Sequence, residues 1–99
     1  MPLPGLQPVR NALSLTQRKL AEDAGIGLTS VQSYEKDTAD CSAKTLKSLC
    51  LAMTCGTDDL FGIPSPFRLA QIRANWYRKQ AALADAEATN LAKKISQTA

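Results

Sequence analysis

Between residues 28 and 36 the chain carries a set of side chains suited to reversible hydrogen bonding. They are the hydroxyls of Thr29 and Ser33, the amide of Gln32 and the ammonium of Lys36, with the apolar Leu28 beside them. Hydroxyls and amides donate and accept, whereas lysine only donates. This is recognition chemistry, not bond-breaking chemistry. The chain has no histidine, so Ser14, Ser30 and Ser33 lack the usual imidazole base, and no lysine-based arrangement replaces it. The chain is therefore expected not to be an enzyme. Three cysteines, Cys41, Cys50 and Cys55, have no fourth ligand to complete a metal site, so neither metal nor cofactor is expected. The N-terminal MPLPGLQPVR contains no long apolar run, which predicts no signal peptide, no membrane span and a cytoplasmic protein. The thiols are then expected to be reduced. Cys50 and Cys55 read as small buried hydrophobes, and Cys41 as an exposed loop residue.

The elements that must hold residues 28–36 are helical. β-branched alternation is absent, and apolar residues recur at steps of three and four. The pattern predicts helix 1 at about 4–13, with Leu6, Val9 and Leu13 on one face. Thr16 caps helix 2 at 17–24, and Gly25 ends it. Helix 3 runs over 28–36 behind Gly27, Ser42 caps helix 4 at 43–54, and a short helix 5 starts near Thr57 and ends at Gly62. Pro64 and Pro66 break the path. Residues 67–97 contain neither glycine nor proline and many alanines, so they read as one long helix. The expected division is a five-helix unit at 1–62, a proline hinge at 63–66 and a C-terminal helical element at 67–99.

Residues 17–36 have the spacing of two helices crossing at a tight turn. Ala21 is the small residue midway along the first helix, and Gly25, four later, makes the turn. Leu20, Ala24, Ile26, Val31 and Tyr34 are the apolar residues that must point between the helices.

With those residues in place, LSLTQRKLAEDAGIGLTSVQSYEKD resembles the helix-turn-helix core of the Cro/C1-type (XRE-like) DNA-binding family, which includes phage repressors. The likeness covers roughly residues 6–62. It rests on LTQ at 15–17, LA at 20–21, AGI at 24–26, YE at 34–35, TLKSLCLAM at 45–53 and DDLF at 58–61. The resemblance implies an all-α, five-helix, lambda-repressor-like domain, here followed by the long C-terminal helix. It implies that Arg10 and Glu35 pair as a structural clamp. It also implies that helix 3 is a recognition helix entering the major groove. Departures are local. Lys36 and Asp37 follow Glu35 where a glycine is common nearby, Thr54 stands where a helix-ending glycine is common, and Lys19 replaces a capping glutamate.

On that basis Leu28, Thr29, Gln32, Ser33 and Lys36 are the candidate base contacts. Gln suits adenine N6/N7, and Leu28 with the Thr29 methyl suits a thymine methyl, which predicts an A/T-containing half-site. Arg18 and Lys19 sit at the partially positive end of helix 2, the wrong sign for that position. A docked phosphate would reverse this balance. Thr16, Gln17, Arg18, Lys19, Thr38, Lys44 and Lys47 are therefore the candidate phosphate contacts. The bland alternative is that Arg18 and Lys19 are solvated and pair with Glu22 or Asp23. Charge is unevenly placed: residues 1–62 carry six basic and seven acidic side chains, and residues 63–99 carry six and two. Glu22, Asp23, Asp58 and Asp59 must then face away from DNA.

The long helix has two apolar arcs. Leu69, Ile72, Trp76 and Leu83 form one, and Ala70, Ala74, Tyr77, Ala81, Ala84, Ala88, Leu91 and Ile95 form the other. One arc can pack on the head and the other on a second chain. Leu69, Ile72, Trp76, Tyr77, Leu83, Leu91 and Ile95 are the candidate dimer residues, and Leu51 is expected beneath the tail. The functional expectation is a sequence-specific double-stranded DNA-binding regulator. The form expected first is a phage or mobile-element repressor, bound as a homodimer to a near-palindromic operator. The alternative is an antitoxin or controller protein whose C-terminal helix binds a protein partner. At this length the chain is expected to lack a self-cleaving C-terminal domain.

Overall fold

A computed structural model describes residues 3–98, with the side chains of residues 3–88. The described residues form helices and loops in the order α1 Leu6–Ala12, α2 Gln17–Ala24, α3 Leu28–Glu35, α4 Ala43–Met53, α5 Thr57–Phe61 and α6 Pro66–Thr98. The fold is all-α, as expected, with a long final helix.

Local chemistry sets the boundaries. Thr16 Oγ1 accepts the Lys19 amide at 3.0 Å, and Ser42 Oγ accepts the Thr45 amide at 3.2 Å. Each hydroxyl satisfies a donor that the helix itself leaves unpaired. Gly25 closes α2 at φ 70°, which lets the Ile26 amide reach back to the Ala21 carbonyl at 2.9 Å. Three non-glycines also take a positive φ, Ser14 at 56°, Asp37 at 58° and Thr54 at 54°. Thr54 at that helix end also donates its hydroxyl to the Met53 carbonyl at 2.6 Å and to the Ile72 carbonyl at 3.4 Å. The helix terminus is thereby tied to α6.

Several boundaries differ from those expected. Helix α1 is shorter at both ends than 4–13, and α3 and α4 each end one residue before 36 and 54. Pro66 is not part of a hinge but the first residue of α6. A proline at that position loses no helical hydrogen bond, and its fixed φ suits the helix. Ser65 caps the helix: its Oγ accepts the Arg68 amide at 3.1 Å, and its carbonyl accepts the Leu69 amide at 2.9 Å.

The core gathers Leu6, Val9 and Leu13 from α1 and the turn after it, Leu20 from α2, Val31 from α3, Leu49 and Met53 from α4, Leu60 from α5 and Ile72 from α6. The first turns of α6 are thus built into the head. Leu69 and Trp76 pack around Ile72 against the same core. Ile72 is fully buried within this one chain, so it is not available as a dimer contact, and its partner is the head. Polar ties reinforce the seam. Arg68 makes a bidentate pair with Asp59 at 2.9 and 2.8 Å, Arg73 donates to the Ala12 carbonyl at 2.8 Å, and Lys79 donates to the Leu51 carbonyl at 2.9 Å. Leu51 itself is 60% exposed, so α6 does not cover it. The tail touches its backbone through a lysine and leaves the side chain in water.

Gly5 marks a close approach. Its amide bonds to the Leu60 carbonyl at 3.0 Å, and a Cβ at this position would collide with the carbonyl oxygens of Asp59 and Gly62. Only glycine admits α5 so near the start of α1.

Candidate nucleic-acid interface

Helix α3 is anchored by one side. Val31 is fully buried, and Tyr34, with Ala24 and Ile26 of the preceding turn, packs against the core. Its C-terminal end is held by charge. Arg10 Nε and Nη2 donate to the two carboxylate oxygens of Glu35 at 3.1 and 2.8 Å, while Arg10 Nη1 donates to the Leu15 carbonyl at 2.8 Å. These side chains are only 11% and 5% exposed. A bidentate pair at that depth fixes orientation as well as distance. Gln17 adds a third donor, its amide reaching Glu35 Oε2 at 3.3 Å. The start of α2 and the end of α3 are thus locked together through one carboxylate.

The opposite side of α3 is open. Thr29 and Lys36 are exposed, and Leu28, Gln32 and Ser33 are half-buried. The loop after α3 folds back on it: the Thr38 amide and hydroxyl both donate to the Ser33 carbonyl, at 2.9 and 3.3 Å. Thr38 is therefore engaged in shaping this loop through its hydroxyl hydrogen, which leaves the oxygen lone pairs outward.

Of the charges at the start of α2, Arg18 is exposed, and Lys19 pairs with Asp23 at 3.0 Å along the helix. The hydrogen bond that Lys19 donates to Asp23, more than the carboxylate's charge, raises the Lys19 pKa above the ordinary lysine value. Thr16 is exposed, with Oγ1 accepting the helix amide. Lys44 and Lys47 are exposed on α4. Gln17 is the residue of this group that faces inward, toward Glu35. On the acidic side, Asp59 is taken up by Arg68, whose hydrogen bonds hold its carboxyl below the usual carboxylate range. Glu22 and Asp58 remain exposed.

The sulfur chemistry is muted. All three cysteines are free thiols, and all are half-buried, including Cys41, which the sequence reading placed in the open. Cys41 folds inward because its loop closes on the core beside α4. Burial raises each thiol pKa, and Cys55, next to Cys50 and Asp59, is pushed up to about 12. So high a value leaves almost no thiolate at neutral pH. Among the described residues no group of three or more His, Cys, Asp and Glu could hold a metal ion, and no helix is long and apolar enough to cross a membrane.

The arginines and lysine that fasten α6 to the head escaped sequence reading. Arg68, Arg73 and Lys79 looked like charges spread around a helix, and their acceptors lie 9, 61 and 28 residues away in sequence. Two of those acceptors are backbone carbonyls, which carry no signature in residue type. Leu69 and Trp76 are engaged with the head, Tyr77 and Leu83 are 53% and 51% exposed, and Leu91 and Ile95 lie outside the described side chains.

The geometry is that of two helices crossing at Gly25, the second braced at one end by a buried ion pair and open along its polar side. The helix-turn-helix family model matches residues 9–60, which is more than half of the chain. No curated protein and no solved structure matched it significantly. The match begins beside Arg10 and ends at Leu60, and so spans both the clamp and the crossing pair. On this evidence the chain belongs to the Cro/C1-type (XRE-like) helix-turn-helix family of DNA-binding transcription regulators.

Proposed function

We propose that the protein is a repressor of the phage or mobile-element type that occupies a near-palindromic operator as a homodimer. It needs no chemistry beyond binding, which suits a site made of hydroxyls, an amide and a lysine. Helix α3 enters the major groove, with Leu28, Thr29, Gln32, Ser33 and Lys36 toward the base edges and an A/T-containing half-site as the target. Arg18, Lys19, Lys44 and Lys47 meet flanking phosphates, with hydroxyls of Thr16 and Thr38 beside them. Lys19 trades Asp23 for phosphate at little cost, because an exposed pair of this kind contributes little. Gln17 plays a double part, bracing Glu35 and lying next to the same backbone.

The observation that carries this reading is the open polar side of α3. Among the described residues, no hydrogen bond to the protein engages the side chains of Thr29, Gln32, Ser33 or Lys36. Selection of bound duplexes from a random DNA pool tests it directly. The expected product is a pair of related half-sites about one turn, ~34 Å, apart. Gln32→Ala with Ser33→Ala should abolish selection while leaving the circular dichroism spectrum and melting unchanged. Affinity should also fall steeply with salt, as phosphate contacts require. A pool that yields no enrichment, or a flat salt dependence, would count against it. The exposed distal part of α6 supports a second reading, an antitoxin or controller with the same head. A partner protein co-purifying in equal amounts would favour it.

A further inference from the structure

Helix α6 has a face that the head does not use. Ala70, Ala74, Tyr77, Ala81, Ala84 and Ala88 recur at alternating steps of four and three, and all are exposed. That spacing averages 3.5 residues, the period of a helix seam that packs against another helix. It is more than a row of small residues. Tyr77 stands on it 53% exposed, braced edge-to-face by Trp76 at 5.2 Å.

We infer that this face is the dimer interface, and that it pairs antiparallel with the same face of a second copy about a twofold axis between Ala82 and Leu83. The inference goes beyond the regulator reading by assigning the interface, its direction and its register. Three observations select this occupant. First, helix seams of alanine permit an interaxial distance near the short end of the usual ~8–10 Å, so the partner must be equally small-faced. The chain itself provides such a face. In the proposed register Ala81 lies opposite the partner's Ala84, and Tyr77 opposite the partner's Ala88, large against small. Second, Arg78 and Asp85 flank the seam on the same side, seven residues apart in sequence. Antiparallel pairing sets Arg78 toward the partner's Asp85, twice by symmetry. Parallel in-register pairing would instead face Arg78 with the partner's Arg73, like charge against like, and leave Asp85 opposite a glutamine. Third, the head is fastened to α6 on the other flank, through Leu69, Ile72 and Trp76. A twofold axis perpendicular to the pair leaves both heads on one face, with the two Ile72 levels about 32 Å apart along the helix axis at ~1.5 Å per residue. That separation is close to the ~34 Å between half-sites on one side of a DNA duplex.

Sedimentation of the full chain, with and without DNA, tests the proposal. The wild type should be a dimer at micromolar concentration. Ala81→Glu, at an exposed helical position, should keep its helicity and melting while the dimer weakens by at least about tenfold, since carboxylates would be buried against the seam. Arg78→Glu and Asp85→Arg should each weaken the dimer at low salt, and the double variant should restore it. A dimer that survives Ala81→Glu, or one that Arg78→Glu leaves unchanged or strengthens, would overturn the interface or its direction. A monomeric wild type that still binds a single half-site would overturn the dimer and leave the DNA-binding reading intact. A dimer without DNA affinity would do the reverse.

Discussion

The two halves of α6 are made from much the same residue types and behave differently. In the first, Ile72 is fully buried and Leu69 and Trp76 lie against the head, while Arg68, Arg73 and Lys79 reach across to Asp59, Ala12 and Leu51. In the second, every residue from 81 to 88 is exposed, and Leu83 stands half in water although it continues the arc of Ile72 and Trp76. The difference lies in what is opposite. The head packs along α6 from Arg68 to Lys79, and beyond that the same arc is left half open at Leu83. Helix propensity carries the backbone onward, but burial stops. An apolar arc is therefore a capacity for packing, and the surroundings decide whether it becomes core or interface.

The contrast can be broken at several points. The largest effect belongs to the clamp. Arg10→Ala or Glu35→Ala leaves a nearly buried charge without its partner and should cost about 3–5 kcal/mol in denaturant unfolding. DNA binding should be lost with it, because the end of α3 is released. Ile72→Ala follows, at about 2–5 kcal/mol for a large-to-small change in a closed core. On the same helix, Leu83→Ala should change the stability of the dilute chain by no more than about 0.5 kcal/mol. If the two α6 variants proved equal, the division of the helix would be wrong.

Gly5→Ala should cost about 1–3 kcal/mol, because a methyl group must displace the backbone of α5. Thermal melting reads it, and DNA affinity at low temperature should be retained. The smallest effect is that of Asp59. Its carboxyl titrates below its unfolded value because Arg68 stabilises the charged form. The pair therefore contributes above the unfolded pKa of about 3.9, and the contribution is lost as pH falls through the depressed folded value. Trp76 fluorescence should report loosening of α6 below about pH 4, and Asp59→Asn should remove that acid step while lowering neutral stability by about 1 kcal/mol or less.

Much of the head was legible because its signals are local. Thr16 and Ser42 cap helices by bonding an amide three residues on, and Gly25 ends one by adopting a positive φ. Ala21 and Val31 declare the crossing through size and spacing. Asp37 and Thr54 were visible as departures from a glycine, and each takes the left-handed conformation that a glycine would have taken. Leu51 and Cys41 went the other way. Leu51 was expected under the tail and is open, whereas Cys41 was expected in the open and is half-buried. In both cases periodicity gives the side of an element but not what lies over it.

What this sequence determined by itself is the set of helices, the turn between α2 and α3, and the polar face that α3 presents, because caps, glycines and apolar steps act within a few residues. Only the tertiary structure decided that Gly5 lies under α5, that Arg68, Arg73 and Lys79 are fasteners, and that one apolar arc of α6 is half core and half surface. Those outcomes depend on groups distant in sequence, several of them backbone carbonyls, which meet only once the chain has packed.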